Sequence, residues 1–407
     1  MNVKVNAVLL KRFGKKAKCK SNAPIKRLDW DALTQIQRVL SCPDKVKELM
    51  NAHENWGRGR KNEYSTKHSL FEQELYVNLV KRMTKGKPRK TGVVRKQILD
   101  SDSQVAVIGD IHSDVLSLVI ILQDLRKKGW FVDDSFKLND TKYILFAGDL
   151  TDYGPFNMEV LLIALNLLYA NYKDENYKET DPHVILCRGN HETYNYVMCK
   201  SCNLFKEITV KTGIEKPRET LRKLLSPLLT AWFFKFKDDE KWIQCNHGGI
   251  PTRKKCIENL RTFLNRKKNR STKMTMRNET DVFRFLRGDF GLKNKVCEIT
   301  GRPQSDRDAV QKYFDETGIG LILGGHQDLA WLLTFPSDEN NENNKNSRKE
   351  YPGLKAYSLP TKRHMPIDLD GVMSIITSTA IVKMGEGSDL GSSPVTYLLI
   401  RSATPKK

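Results

Sequence analysis

The stretch YILFAGDLTDYGP, residues 143–155, is apolar for its first five residues and then meets two aspartates. Tyr143 to Ala147 read as a buried strand, Gly148 permits a tight backbone exit, and Asp149 and Asp152 follow at once. A core strand that ends in carboxylates presents them on a loop. In open α/β structures, loops at the carboxyl ends of strands are where a site forms.

The same arrangement recurs outward from this stretch. VAVIGD (105–110), HVILCRGNH (183–191), WIQCNHGG (242–249) and IGLILGGH (319–326) are further short apolar runs that end beside polar side chains. Helical patterns lie between them. DVLSLVIILQDLRKKG (114–129) predicts a helix with Asp114 as N-cap and Gly129 as its stop, and NMEVLLIALNLLYANY (157–172) predicts one capped by Asn157. SDRDAVQKYFDETG (305–318) predicts a third, ending at Gly318. Alternation of this kind implies an α/β fold built as a sandwich.

Five strand ends thus carry Asp110 with His112, then Asp149, Asn190, His247 and His326. Mixed carboxylate, imidazole and amide donors suit Mn, Fe or Zn, whereas calcium prefers a shell of oxygens. A carboxylate shared by two such ions holds them about 3.5–4 Å apart. Asp149 is the candidate for that bridge, which leaves Asp152 free for another task.

Read in order, GDIH, GDLTDYG, RGNHE, HGG and GGHQ resemble the signature of calcineurin-like metallophosphoesterases. Within them they are most similar to the phosphoprotein phosphatase branch of serine/threonine phosphatases, and the resemblance covers about residues 104–400. It implies a four-layer β-sandwich flanked by helices and two divalent metal ions. Asp110, His112 and Asp149 would hold one ion; Asp149, Asn190, His247 and His326 would hold the other. It also implies His191 as proton donor to the leaving oxygen, oriented by Asp152. Phosphomonoesters (phosphoserine and phosphothreonine) would be hydrolysed by direct attack of a hydroxide held between the metals, without a phospho-enzyme.

Two positions depart from the branch. Ser113 stands where the family usually has glycine, and Tyr153 where it usually has an arginine that grips phosphate. A phenol offers one neutral hydrogen bond in place of a charged fork, so substrate choice is expected to change, with phosphotyrosine as one outcome. Arg302 is the candidate for the branch's second phosphate-binding arginine, with Arg307 as the alternative, and Arg188 joins the substrate-binding candidates or supports its loop. ITSTAIVKMGEG (376–387) replaces the aromatic-bearing loop that the branch places over the site.

The rest of the chain bounds this reading. With 407 residues and 39% hydrophobic content it has room for one large catalytic domain plus an extension, or for two modest domains. No apolar run approaches the roughly 20 residues needed to span a bilayer. Eight cysteines in such a length form no dense disulfide framework, so a reducing, cytoplasmic compartment is expected. CKSC (199–202) lacks a second pair and reads as one helical turn rather than a zinc site. The net charge of +21 gathers in Lys11–Lys20, Lys81–Lys96 and Arg253–Arg277, read as solvated surface. Nucleic acid is a possible partner but is not favoured, because aromatic residues do not interleave with the basic ones. Residues 1–28 read as a basic mobile arm, and helical patterns follow to about Met83. The expected domains are a basic arm and helical extension (1–103) and the metallophosphatase domain (104–407). The polar stretch 337–350 is expected to be a disordered loop. A phosphorylated protein is the expected substrate. The alternatives are action on nucleic acid or small phosphoesters, and a non-catalytic scaffold of the same fold.

Overall fold

The structure is a computed structural model that describes residues 3–10, 24–42, 69–85, 92–172, 182–197, 203–266, 271–290, 302–326, 331–334, 354–355, 371–374 and 395–402. Its strands are β1 Val3–Leu10, β2 Val93–Leu99, β3 Gln104–Ile108, β4 Lys142–Phe146, β5 Val184–Leu186, β6 Ala231–Phe236, β7 Trp242–Asn246, β8 Ser271–Thr275, β9 Asp289–Phe290, β10 Gln304–Ser305, β11 Ile319–Gly324, β12 Trp331–Thr334, β13 Leu354–Lys355, β14 Gly371–Ser374 and β15 Val395–Ser402. The helices are α1 Trp30–Leu40, α2 Gln73–Met83, α3 Val115–Lys127, α4 Asn157–Ala170, α5 Tyr194–Val197, α6 Asn203–Thr212, α7 Pro217–Leu224, α8 Lys254–Asn265, α9 Glu279–Arg287 and α10 Arg307–Thr317.

Strand period two sorts the core into layers. Along β3 and β4, Val105, Val107, Tyr143 and Leu145 turn one way, onto Trp232, Phe234, Ile243, Leu321 and Leu323 of the opposite sheet. Ala106, Ile108, Ile144 and Phe146 turn the other way, onto α3 and α4. The outer face of the second sheet, through Ala231, Phe233 and Ile322, meets Leu260 of α8 and Tyr313 of α10. The result is four layers, helices–sheet–sheet–helices. Each large apolar side chain buried here contributes roughly 1.5–3 kcal/mol relative to leaving it in water.

One sheet has the order β1-β15-β3-β4-β5 and the other β13-β12-β14-β11-β7-β6-β2-β8. β3, β4 and β5 run parallel, and β7 and β11 run parallel to each other. Parallel strands end at the same edge, so all five ligand-bearing loops leave from the carboxyl ends of neighbouring strands.

The helix limits follow local chemistry. Asp114 caps α3 by accepting from Ser117 N, and Asp306 caps α10 through Ala309 N. Gly318 ends α10 at φ 75°, a left-handed conformation that glycine adopts without cost. Asn157 is not the cap of α4: Phe156 occupies that place, and the Asn157 amide is used elsewhere.

Other expectations meet a different outcome. Val3–Leu10, placed in a mobile arm, forms the edge strand β1, paired antiparallel with β15 over its whole length. Its alternating apolar residues suit an edge strand, and only the far end of the chain supplies its partner. β2, also from the first hundred residues, lies inside the second sheet beside β6. Arg95 and Lys96, counted as solvated surface, are buried; Lys96 Nζ donates to Leu264 O and Arg266 O at 3.1 and 2.6 Å. Helices α1 and α2 share one core with α3 and α4. Cys187, Cys245 and Cys256 are free and buried, while Cys42 is disulfide-bonded, an exception to the reduced thiols expected. The stretches 199–202, 337–350 and 376–387 lie outside the described residues.

Candidate active site

Among the described residues, left-handed backbone at non-glycine positions gathers in the loop after β4. Asp149, Asp152 and Tyr153 have φ of 46°, 78° and 59°, and on adjoining loops His112, Ser113 and His326 have 46°, 65° and 73°. Left-handed backbone at residues with a Cβ persists only when the surroundings hold it, and it gathers at functional sites. Ser113 shows how it is held: its hydroxyl accepts from Phe156 N at 2.9 Å, which ties the β3 and β4 loops together.

Two glycines let backbone approach carboxylates. A Cβ on Gly189 would lie 2.0 Å from Asp149 Oδ1, and one on Gly325 would lie 1.8 Å from Asp110 Oδ1. Into that space the amides of His191 and His326 donate, to Asp149 Oδ1 at 3.0 Å and to Asp110 Oδ2 at 2.9 Å.

All six expected metal-ligand residues are buried and come together. Asp110, His112 and Asp149 offer ligand atoms within 4.8 Å of one another, and so do Asp149, His247 and His326. Asp149 belongs to both groups. Its Oδ2 lies 3.0 Å from His247 Nε2 and 3.6 Å from His112 Nε2. Asn190 Oδ1 lies 2.9 Å from His247 Nε2. Among the described residues Asp110 Oδ1 and His326 Nε2 are buried polar atoms without a hydrogen-bond partner. Buried polar atoms left without a partner call for an explanation, and a bound ion beside them is one. The residues present therefore fit two adjacent divalent cations.

Burial and crowded charge set the electrostatics of the cluster. Burial drives Asp110 up to about 7, with Asp149 adding to the shift and His247 opposing it. Burial also raises Asp149, but His247 and its neighbours outweigh it and hold that carboxyl well below its usual range. His247 is likewise lifted to about 9 against its burial, by Asp149 and Asp110. His326 is pushed down to about 2 by burial, then by His247 and Arg302.

Beside this cluster His191 Nδ1 meets Asp152 Oδ2 at 2.8 Å, while His191 Nε2 lies 3.9 Å from Asp149 Oδ2. Burial would lower His191, but the Asp152 hydrogen bond and the charge of Asp149 raise it overall. The ring of Tyr153, half exposed, stands 4.8 Å from that of His112 and 5.0 Å from that of His191. Arg302 reaches the other side, with Nη1 3.8 Å from Asp289 Oδ1, which itself lies 3.7 Å from His326 Nε2. Arg188 is not at the pocket. Its guanidinium is buried and donates to Glu192 O at 2.9 Å and Leu225 O at 2.7 Å, so its place as a substrate-binding candidate gives way to the loop-supporting role.

Three functional neighbours had no assigned role in the sequence reading. Glu192, wholly buried, accepts from the amides of Asp149, Thr151 and Gly189, each at 3.0 Å, and from Thr151 Oγ1 at 2.9 Å. It staples the β4 loop to the β5 loop; its position next to His191 in RGNHE was the available signal. Asp289 follows Gly288 as Asp110 follows Gly109, but it opens a two-residue strand after helix α9 rather than ending an apolar strand, so the strand-end pattern does not pick it out. Tyr196 stacks edge-on at 4.6 Å from His191, and no sequence signal marks it.

The sequence pattern of the calcineurin-like phosphoesterases matches residues 103–328, more than half of the chain. The chain belongs to that family. Within the phosphoesterase, 159 residues are 31% identical to serine/threonine-protein phosphatase 7 of Arabidopsis thaliana, covering 39% of this chain and 33% of that protein. Another 32% identity over 105 residues, 26% of this chain and 18% of the other, is to a serine/threonine-protein phosphatase of Caenorhabditis elegans. The chain thus spans no more than about a third of the length of these curated relatives. Among solved structures, a serine/threonine phosphatase of Saccharomyces cerevisiae shares 16% identity at a TM-score of 0.45, over 69% of this chain and 80% of that one. A cold-active protein-tyrosine phosphatase of a Shewanella species shares 15% at 0.36, over 63% and 72%. The phosphoesterase matches these phosphatases distantly, and its two His/Asp clusters make it a metallophosphoesterase in its donor set.

Proposed function

We propose that this metallophosphoesterase is a phosphoprotein phosphatase that cleaves phosphomonoesters to inorganic phosphate and an alcohol. The carrying observation is the Asp149 carboxylate common to both His/Asp clusters, with the His191–Asp152 pair alongside. The distant similarity to curated serine/threonine phosphatases favours a phosphorylated protein over other phosphoesters.

Asp110, His112 and Asp149 would hold one divalent ion, and Asp149, Asn190, His247 and His326 the second. Such ions supply Lewis-acid polarisation of the phosphoryl group and activation of water near neutral pH. The chain's own residues do the rest. His191 gives a proton to the departing oxygen, a step worth roughly 10²–10⁴ in rate. Asp152 keeps that ring protonated and aimed. Arg302, at the rim beside Asp289, binds the phosphate oxygens, and Tyr153 borders the same opening from the His112 side. An exposed phenol there contacts an aromatic substrate face while giving less hold on phosphate than an arginine would.

A phosphoserine, phosphothreonine and phosphotyrosine peptide panel assayed with manganese tests this. Manganese-dependent turnover is expected, and His191→Asn should slow it at least about 100-fold. Tyr153→Arg should shift the profile toward phosphoserine. Activity on a phosphodiester with none on any phosphopeptide would overturn the reading.

A further inference from the structure

A continuous buried relay runs from the N-terminal helix α2 to the proton-donor pair. Tyr76, fully buried on α2, donates its hydroxyl to Glu159 Oε1 on α4. Glu159 Oε2 accepts from Lys211 Nζ at 2.7 Å. That ammonium also donates to Glu207 Oε2 at 2.8 Å and to Pro155 O at 3.1 Å, and it stands 5.7 Å from the centre of the Tyr76 ring. Glu207 in turn accepts from Asn157 Nδ2 at 2.5 Å and from Met158 N at 3.0 Å. The Asn157 oxygen takes the amide hydrogen of Asp152, and its Nδ2 also donates to Gly154 O at 2.7 Å. Asp152 then meets His191.

Every group in this relay is buried, and each link is a hydrogen bond to the next; Asp152 Oδ1 also accepts from Asn203 N at 3.3 Å. Such a network has few alternative arrangements, because a displaced member leaves a buried charge unmatched. Asp152 and Tyr153 sit in left-handed backbone, which needs outside support to persist. The support arrives from Asn157, whose orientation is set by Glu207, and through Lys211 and Glu159 from Tyr76.

We propose that Tyr76 and Asn157 are positioning residues for the reaction, so that helix α2 acts as part of the active-site scaffold and holds His191 on line with the leaving oxygen through Asp152. This rests on His191 being the proton donor. It predicts a defect that scales with how much the leaving oxygen needs a proton.

Phenyl phosphate and p-nitrophenyl phosphate present the same ring, but phenoxide leaves only with help whereas nitrophenoxide leaves with little. Tyr76→Phe keeps the ring and removes the hydroxyl. With manganese, kcat on phenyl phosphate should fall about tenfold, a fraction of what a positioned acid supplies, while p-nitrophenyl phosphate changes by less than about twofold and KM is steady for both. Asn157→Ala breaks the relay beside Asp152 without touching α2, and should show the same contrast. In the double variant the two losses should not add, since both act through one path. Equal slowing on the two substrates, or no slowing in either variant, overturns the positioning role while leaving the phosphatase reading standing. A wild-type protein inert on both substrates overturns that reading, and the positioning role with it.

Discussion

Asp149 is the residue on which the two candidate cation sites depend. Its carboxyl is shared between the clusters, and one of its oxygens is fixed by the His191 amide in a gap that only Gly189 leaves open. Asp149→Asn keeps the size of the side chain and removes the charge. We expect manganese to raise the unfolding midpoint of the wild type, since a ligand at 100 times its Kd adds about 2.7 kcal/mol, and to leave the variant unshifted. Calorimetric melting with and without the metal reads this without any assay of turnover. The sequence placed Asp110, His112, Asn190, His247 and His326 at or just after strand ends, and the structure brings them together. Glu192 had a signal in its place beside His191 but no role that the sequence could give it, and Tyr196 had no signal at all. A hydrogen-bond acceptor shared by three amides, or a ring edge on a histidine, is a relation between loops, and no local pattern gives the role.

At the scale of elements, α4 and α6 are joined by charge inside the apolar layer. Lys211 lies fully buried between Glu159 and Glu207. Removing one partner of a buried set leaves uncompensated charge, which costs about 3–5 kcal/mol. Lys211→Met should therefore lower the urea midpoint sharply at pH 7. Burial already pushes Glu207 up to about 7, ahead of the opposing pull of Lys211. In the folded state the carboxyl takes up its proton below that value, so the penalty of the variant should shrink as the pH falls toward 5. A penalty that does not vary with pH would contradict the account. Asn157 shows the same limit of sequence reading. It was expected as a helix cap from its place before an apolar run, yet Phe156 ends the turn and the Asn157 amide bridges Asp152 and Glu207. Local propensity names the residue types that can cap; the neighbour across the core decides which task one performs.

Across the whole molecule, the described segments of the first hundred residues pair with or pack on the rest of the fold. β1 covers the edge of β15 over eight paired residues, β2 lies within the larger sheet, and α1 packs Trp30 against Phe131 at 4.8 Å. We propose that the extension is a stabilising part of the catalytic body. Deleting residues 1–23 would leave β15 as an open edge with unpaired amides, a template for aggregation. The truncated protein should melt at a lower temperature, and the β15 amides should exchange hydrogen faster than in the full chain. No helix among the described residues is long and apolar enough to cross a membrane. The basic stretch Lys81–Lys96 was read as surface from its charge alone, but strand alternation carries Lys96 inward, where two carbonyls and the rings of Trp242 and Phe263 receive its ammonium.

What the order of residues determined by itself was the family, the α/β layering and the metal-capable strand ends, because these depend on periods of two and 3.6 and on side chains a few positions apart. Only the tertiary structure decided that β1 is a strand, that Arg188 braces a loop, and that Tyr76 connects to Asp152. Each of those is a pairing between distant segments, and a hydrogen bond needs about 3 Å between its partners whatever their separation along the chain.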